Sequence, residues 1–83
     1  MEQNDIIENI IEYLKKGNPI IKNLKKIPLD ESLVELGYMD SYGVIDIVVF
    51  LEGTYSISIE DNEITKELFG SIRKMASLVK SKL

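Results

Sequence analysis

The stretch Ser41-Tyr42-Gly43-Val44-Ile45-Asp46-Ile47-Val48-Val49-Phe50-Leu51-Glu52 decides the fold. Its Val and Ile content tempts a strand reading, because β-branched residues suit a pleated surface. Strict alternation is absent, however, and the length with polar residues at 46 and 52 suits a helix. The spacing predicts a helix from near Ser41 to about Tyr55. Wound at roughly 100° per residue, it puts Val44, Ile47, Val48 and Leu51 on one side, assigned to the core. Tyr42, Ile45, Asp46, Val49, Glu52 and Gly53 fall on the other side with Ser41. A helix face with nothing to bind is expected to be more uniformly polar than this one, so it is a candidate partner surface.

Before this helix, Ile6, Ile7, Ile10, Ile11 and Leu14 recur at three- and four-residue spacing and predict an amphipathic first helix. Asp5 and Glu8 resemble a capping box at its start. Lys15 and Lys16 suit its negative end, and Gly17 suits a left-handed closing turn. From Asn18 to about Met39, two prolines, Pro19 and Pro28, predict a long ordered loop. Its many apolar residues, Ile20, Ile21 and Leu33 among them, require it to lie across the core. Asp30 or Ser32 starts a short helical turn within it, and Gly37 ends that turn.

After the decisive helix comes an acidic turn, Glu60-Asp61-Asn62-Glu63. It is read as a solvated surface turn and not as a metal site. Thr65 caps a short helix, Lys66 to Phe69, and Gly70 separates that helix from a last one capped by Ser71. Ile72, Met75, Ala76, Val79 and Leu83 form its buried stripe, with Leu78 at the margin. The expected architecture is all-α: a small four-helix bundle of three main helices and one short one, with a long first loop. One domain is expected over residues 1–83.

Charge is distributed unevenly. The stretch Asp30 to Glu63 holds nine acids and no Lys or Arg, while the segments before and after it carry net charges of +1 and +4. An acidic middle disfavours nucleic acid and anionic membranes and favours basic patches on protein partners. The chain has no Cys and no His, which removes disulfides, thiolate metal sites and the commonest general base. No glycine-rich phosphate loop, Ser-His-Asp set or calcium loop is present. The expectation is a chain with no catalytic residues and no metal ligands. Its N-terminus reads as neither signal nor transit peptide, and its longest apolar run, Ile47 to Leu51, is far too short to span a bilayer. A cytoplasmic location is the expectation.

The segment Leu36-Gly37-Tyr38-Met39-Asp40-Ser41-Tyr42-Gly43-Val44-Ile45-Asp46-Ile47-Val48 resembles the attachment motif of acyl and peptidyl carrier proteins. In that family an Asp-Ser pair opens the second helix, a Leu-Gly step precedes it and an apolar helix with embedded acids follows. The resemblance extends to the helix order, the long first loop and the Phe-Gly-Ser-Ile step at 69–72. It implies a 4'-phosphopantetheine arm, moved from coenzyme A onto Ser41 by a phosphopantetheinyl transferase, with Asp40 assisting. The arm's thiol would hold acyl or aminoacyl groups as thioesters, so the sulfur arrives with the cofactor. Implied partners are that transferase and the acyl- or aminoacyl-activating and synthase enzymes, docking basic patches onto Tyr42, Ile45, Asp46, Val49 and Glu52. A monomer is implied.

Tyr42 stands where Leu is usual, and Gly43 where many fatty-acid carriers have an acid. One residue more than in the tightest form of the motif separates Gly37 from the Asp-Ser pair. These differences point to a specialised polyketide, nonribosomal peptide or aminoacyl pathway and away from housekeeping fatty-acid synthesis. The alternative reading is an unmodified helical adaptor that holds a partner through the same face.

Overall fold

The structure, a computed structural model, describes residues 2–83. Met1, part of the expected 1–83 domain, lies outside the described residues. Five helices follow in order: α1 (Gln3–Gly17), α2 (Pro19–Lys22), α3 (Ser41–Tyr55), α4 (Lys66–Phe69) and α5 (Ile72–Lys82). A 3-10 turn, Asp61–Glu63, precedes α4. There is no strand among the described residues. The all-α bundle and its three main helices are as expected, and α3 keeps both expected ends. The short α2 is additional.

The apolar stripes explain the packing. Ile6 and Ile10 of α1, Ile47 and Leu51 of α3, and Ile72 and Val79 of α5 are completely buried in one cluster. Burying each such side chain stabilises the fold by about 2 kcal/mol before the cost of ordering the chain. α1 packs chiefly on α5. It is joined to α3 by mixed contacts. The Tyr13 ring stacks on Phe50 with centroids 4.0 Å apart. Asn9 Nδ2 donates to the Tyr55 hydroxyl at 2.8 Å, and the Tyr13 hydroxyl donates to Asp46 Oδ1 at 2.8 Å.

The helix ends differ from expectation in three places. α1 starts earlier than Asp5: the Glu2 carbonyl already accepts from the Asp5 and Ile6 amides, so the helix opens at Gln3 without a side-chain cap. Nothing in Gln3-Asn4 stops the backbone there, and Asp5 falls inside the first turn, where its charge suits the dipole. Gly17 does not take a left-handed turn; it stays within α1. The next residue, Asn18, is extended (φ −133°, ψ 104°), closes α1 through its amide and caps α2 with its side chain. Pro19 consequently opens a helix, as its fixed φ and missing N–H allow at a first position, and is not part of the loop. Leu83 is 58% exposed, because the buried stripe of α5 ends at Val79; Leu78, placed at the margin, is buried.

The segment from Asn23 to Asp40 is the long connection. Leu33 and Met39 anchor it in the core. Ser32 starts a turn by accepting from the Glu35 amide through Oγ, and Gly37, at φ 81°, ends it. The connection is pinned to α5 where the Leu29 carbonyl accepts from the Arg73 amide at 2.9 Å and Asp30 pairs with the Arg73 guanidinium at 2.6 Å. Thr65 and Ser71 cap α4 and α5 as expected, accepting from the Leu68 and Lys74 amides.

Candidate functional site

Asp40 is the N-cap of α3. Its backbone is extended, and its Oδ1 accepts from the Gly43 amide at 3.0 Å. Ser41 is the first helical residue and is exposed. The Asp40 side chain occupies the Gly43 amide and its carbonyl accepts from Val44. The amides of Ser41 and Tyr42 have no hydrogen-bond partner among the described residues. Such open N–H groups at the positive end of a fifteen-residue helix suit a phosphate on the adjacent hydroxyl. The position fits a phosphopantetheine arm: the hydroxyl is accessible and donors stand beside it.

The approach to this corner is built tightly. The Met39 side chain turns inward, 8% exposed, and lies over Gly43. A Cβ on residue 43 would stand 2.6 Å from Met39 Cγ. Gly43 therefore gives room for Met39, which offsets its roughly 1 kcal/mol helix penalty against Ala. Upstream, the Tyr38 amide donates to the Leu33 carbonyl at 2.9 Å, and the Tyr38 carbonyl accepts from Asn18 Nδ2 at 2.8 Å. A groove of about 400 Å³ runs between Gly17–Ile20 and Gly37–Asp40 and reaches Gly43. On the other side of Met39, a cleft of about 260 Å³ lies between the Ser32–Glu35 turn, Val44 and the α4 region, lined by Leu33, Ile64, Phe69 and Met75. The Lys66–Glu35 ion pair borders it.

The predicted outer face of α3 is outward for the most part. Tyr42 is 80% exposed, Ile45 59% and Val49 62%. The two acids are less free than the sequence implied. Asp46 is exposed but receives the Tyr13 hydroxyl, and this hydrogen bond, with burial and the neighbouring negative charge, holds the Tyr13 phenol above its ordinary pKa. Glu52 is half-buried, and its Oε2 accepts from the Ile59 amide at 2.9 Å. Among the described residues no group of three or more His, Cys, Asp or Glu side chains is placed to hold a metal ion. Of the acidic turn, Glu63 is tied up: its carboxylate pairs with Lys82 at 2.8 Å and accepts from the Glu60 amide, both lowering its pKa.

Asn18 was not singled out from the sequence. The signal was present in Asn18-Pro19, a capping residue followed by the residue favoured at a first helical position. Its second partner, the Tyr38 carbonyl, is twenty residues away and has no local signature.

An all-helical domain whose central helix opens on a capped, exposed Asp-Ser pair is the arrangement expected from the motif at 36–48. No family model matches the chain. A D-alanyl carrier protein of Streptococcus suis (strain 05ZYH33) is 29% identical to it over 77 residues, which span 93% of this chain and 90% of that protein. The chain is thus similar over most of its length to a carrier protein, in line with the resemblance of the motif at 36–48. Carrier proteins hold cargo and leave catalysis to others, in keeping with a chain that has neither His nor Cys. No helix among the described residues is long and apolar enough to cross a membrane.

Proposed function

We propose that this chain is a single-domain carrier, residues 1–83, that holds aminoacyl groups as thioesters on a 4'-phosphopantetheine arm attached to Ser41. The observation that carries this reading is the exposed position of Ser41 as first residue of α3, beside open amides and behind the Asp40 cap. The aminoacyl cargo, a D-alanyl group in the first instance, follows from the name of the relative and from the departures at Tyr42 and Gly43 from fatty-acid carriers. The arm supplies the thiol that the protein lacks. Ser41 provides the oxygen to which it is joined, and Asp40 keeps the helix start in place while assisting the transfer. The partners are a phosphopantetheinyl transferase and aminoacyl-activating and transferring enzymes, which meet the face of Tyr42, Ile45, Asp46, Val49 and Glu52. The protein works as a cytoplasmic monomer and has no need of nucleic acid or metal.

Incubation of the apo protein with coenzyme A, magnesium and a broad-specificity phosphopantetheinyl transferase tests this. The wild type gains the mass of one arm and Ser41→Ala gains none. No gain on the wild type, or an equal gain on Ser41→Ala, refutes it. The adaptor reading draws on the exposed Tyr42, Ile45 and Val49, and it predicts the first of these two outcomes.

A further inference from the structure

Asn18 lies outside the attachment motif, yet its carboxamide and backbone amide together join three parts of the chain. Oδ1 accepts from the Ile20 and Ile21 amides at 3.0 and 3.1 Å and so caps α2. Nδ2 donates to the Tyr38 carbonyl at 2.8 Å. Its backbone amide donates to the Leu14 carbonyl at 2.9 Å, closing α1. Only one orientation of the carboxamide serves both ends, with its acceptor toward two N–H groups and its donor toward a carbonyl.

Tyr38 stands two residues before Asp40. Between them Met39 is locked inward over Gly43. The peptide leading to Ser41 is thereby fixed at one end by the Asn18 amide and at the other by the Asp40 cap on Gly43. Without the Asn18 donor, the Tyr38 carbonyl loses its tie to the α1–α2 junction, and the extra residue in this segment becomes slack immediately before the helix start.

We propose that Asn18 is a positioning residue for the Ser41 hydroxyl: it anchors the Tyr38 carbonyl and so sets the path on which Ser41 is presented to the enzyme that modifies it. The inference rests on Ser41 being the attachment point. It assigns to Asn18 an effect on turnover and not on recognition, since the outer face of α3 is untouched. A displaced nucleophile costs rate in the bound complex, where an ångström of misplacement is worth up to about a hundredfold.

The discriminating variant is Asn18→Asp. Asp and Asn are near-equal caps, so α2 keeps its cap, while the donor to Tyr38 is replaced by a carboxylate oxygen facing a carbonyl. Asn9→Ala, which removes the bond to Tyr55 on the far part of α3, is the control for general destabilisation. With a broad-specificity phosphopantetheinyl transferase and coenzyme A, Asn18→Asp is expected to lower kcat about tenfold or more. KM for the carrier stays within about twofold, and Asn9→Ala changes neither. Amide hydrogen exchange at Gly43, whose N–H is held by the Asp40 cap, accelerates in Asn18→Asp alone. Should Asn18→Asp fail to fold, Asn18→Ser, a neutral cap too short to span both partners, is measured in its place. Wild-type kcat in the folded variant, or an equal loss in Asn9→Ala, overturns the proposal while the attachment reading stands. If the wild type itself takes no arm, the attachment reading fails instead, and unchanged amide exchange in the variant then overturns the role of Asn18 as well.

Discussion

Asp46 illustrates how a single carboxylate can face two ways. It lies on the outer side of α3, where a basic partner could read its charge, and it accepts the hydroxyl of Tyr13 from α1. Replacing it with Lys both reverses the charge and deletes the acceptor. Asp46→Lys is expected to raise the transferase's KM for the carrier several-fold at low salt, in the manner of a removed docking charge. Tyr13→Phe deletes only the hydrogen bond, so it leaves KM unchanged while lowering stability by about 0.5–1 kcal/mol in urea unfolding. A KM for Tyr13→Phe as high as that of Asp46→Lys would assign the effect to the α1–α3 contact and remove the case for charge. Glu52 sits deeper in the fold, since its carboxylate takes the Ile59 amide and turns the chain after α3 back toward the core.

Among the three long helices, α3 is the least helix-prone by composition. Its β-branched residues and two glycines cost propensity, so it is held by Ile47, Val48 and Leu51 in the core and by its Asp40 cap. The absence of alternation and the length of the run, with polar residues at 46 and 52, point to a helix where propensity points to a strand. The α4–α5 corner depends on a different constraint. Gly70 turns between the two helices so close to the Lys66 carbonyl that a Cβ there would collide with backbone. Gly70→Ala is expected to destabilise by about 1–3 kcal/mol, the range for forced overpacking, whereas Gly53→Ala, with nothing near its position, is neutral or stabilising. Equal unfolding midpoints for the two variants would refute this. The caps at Thr65 and Ser71 and the start of α3 are legible because each is written within four residues. The start of α1 is not, because Glu2 contributes a carbonyl, which every residue has, and no distinctive side chain. The helix at Pro19 is hidden because Asn18-Pro19 carries the signals of a loop as well as those of a cap. Within the site, the Asp-Ser pair could be read from its motif. The Tyr13–Asp46, Glu52–Ile59 and Asn18–Tyr38 contacts join distant parts of the chain and needed the fold.

For the whole molecule, the uneven charge of the sequence is partly reconciled by folding. Lys66, Arg73 and Lys82 from the basic C-terminal segment pair with Glu35, Asp30 and Glu63 of the acidic one. The first two pairs are well exposed and contribute little each. The third is the most shielded, with about a fifth of each side chain exposed. It joins the acidic turn to the last helix. Because the folded pKa of Glu63 is lowered, first by Lys82 and then by the Glu60 amide, the folded protein binds fewer protons there than the unfolded chain. The stability it contributes is present above the ordinary carboxylate pKa and is lost as pH falls through the lowered one. Thermal unfolding from pH 7 to pH 2 is expected to show a wild-type decline below about pH 4.5 that Glu63→Gln makes shallower. Superimposable profiles would exclude a contribution from this pair.

The backbone bond from Arg73 to Leu29 has a consequence for how the fold opens. Arg73 is the second residue of α5, where a helix amide normally has no intrahelical acceptor and trades its proton freely with water. Here that proton is covered by a carbonyl of the long connection. Its lifetime in deuterated solvent therefore measures how often the connection lifts off the bundle, because fraying of α5 leaves this bond in place until the first turn itself unwinds. One amide far from Ser41 in sequence thus serves as a clock for the movements of the segment that leads to it.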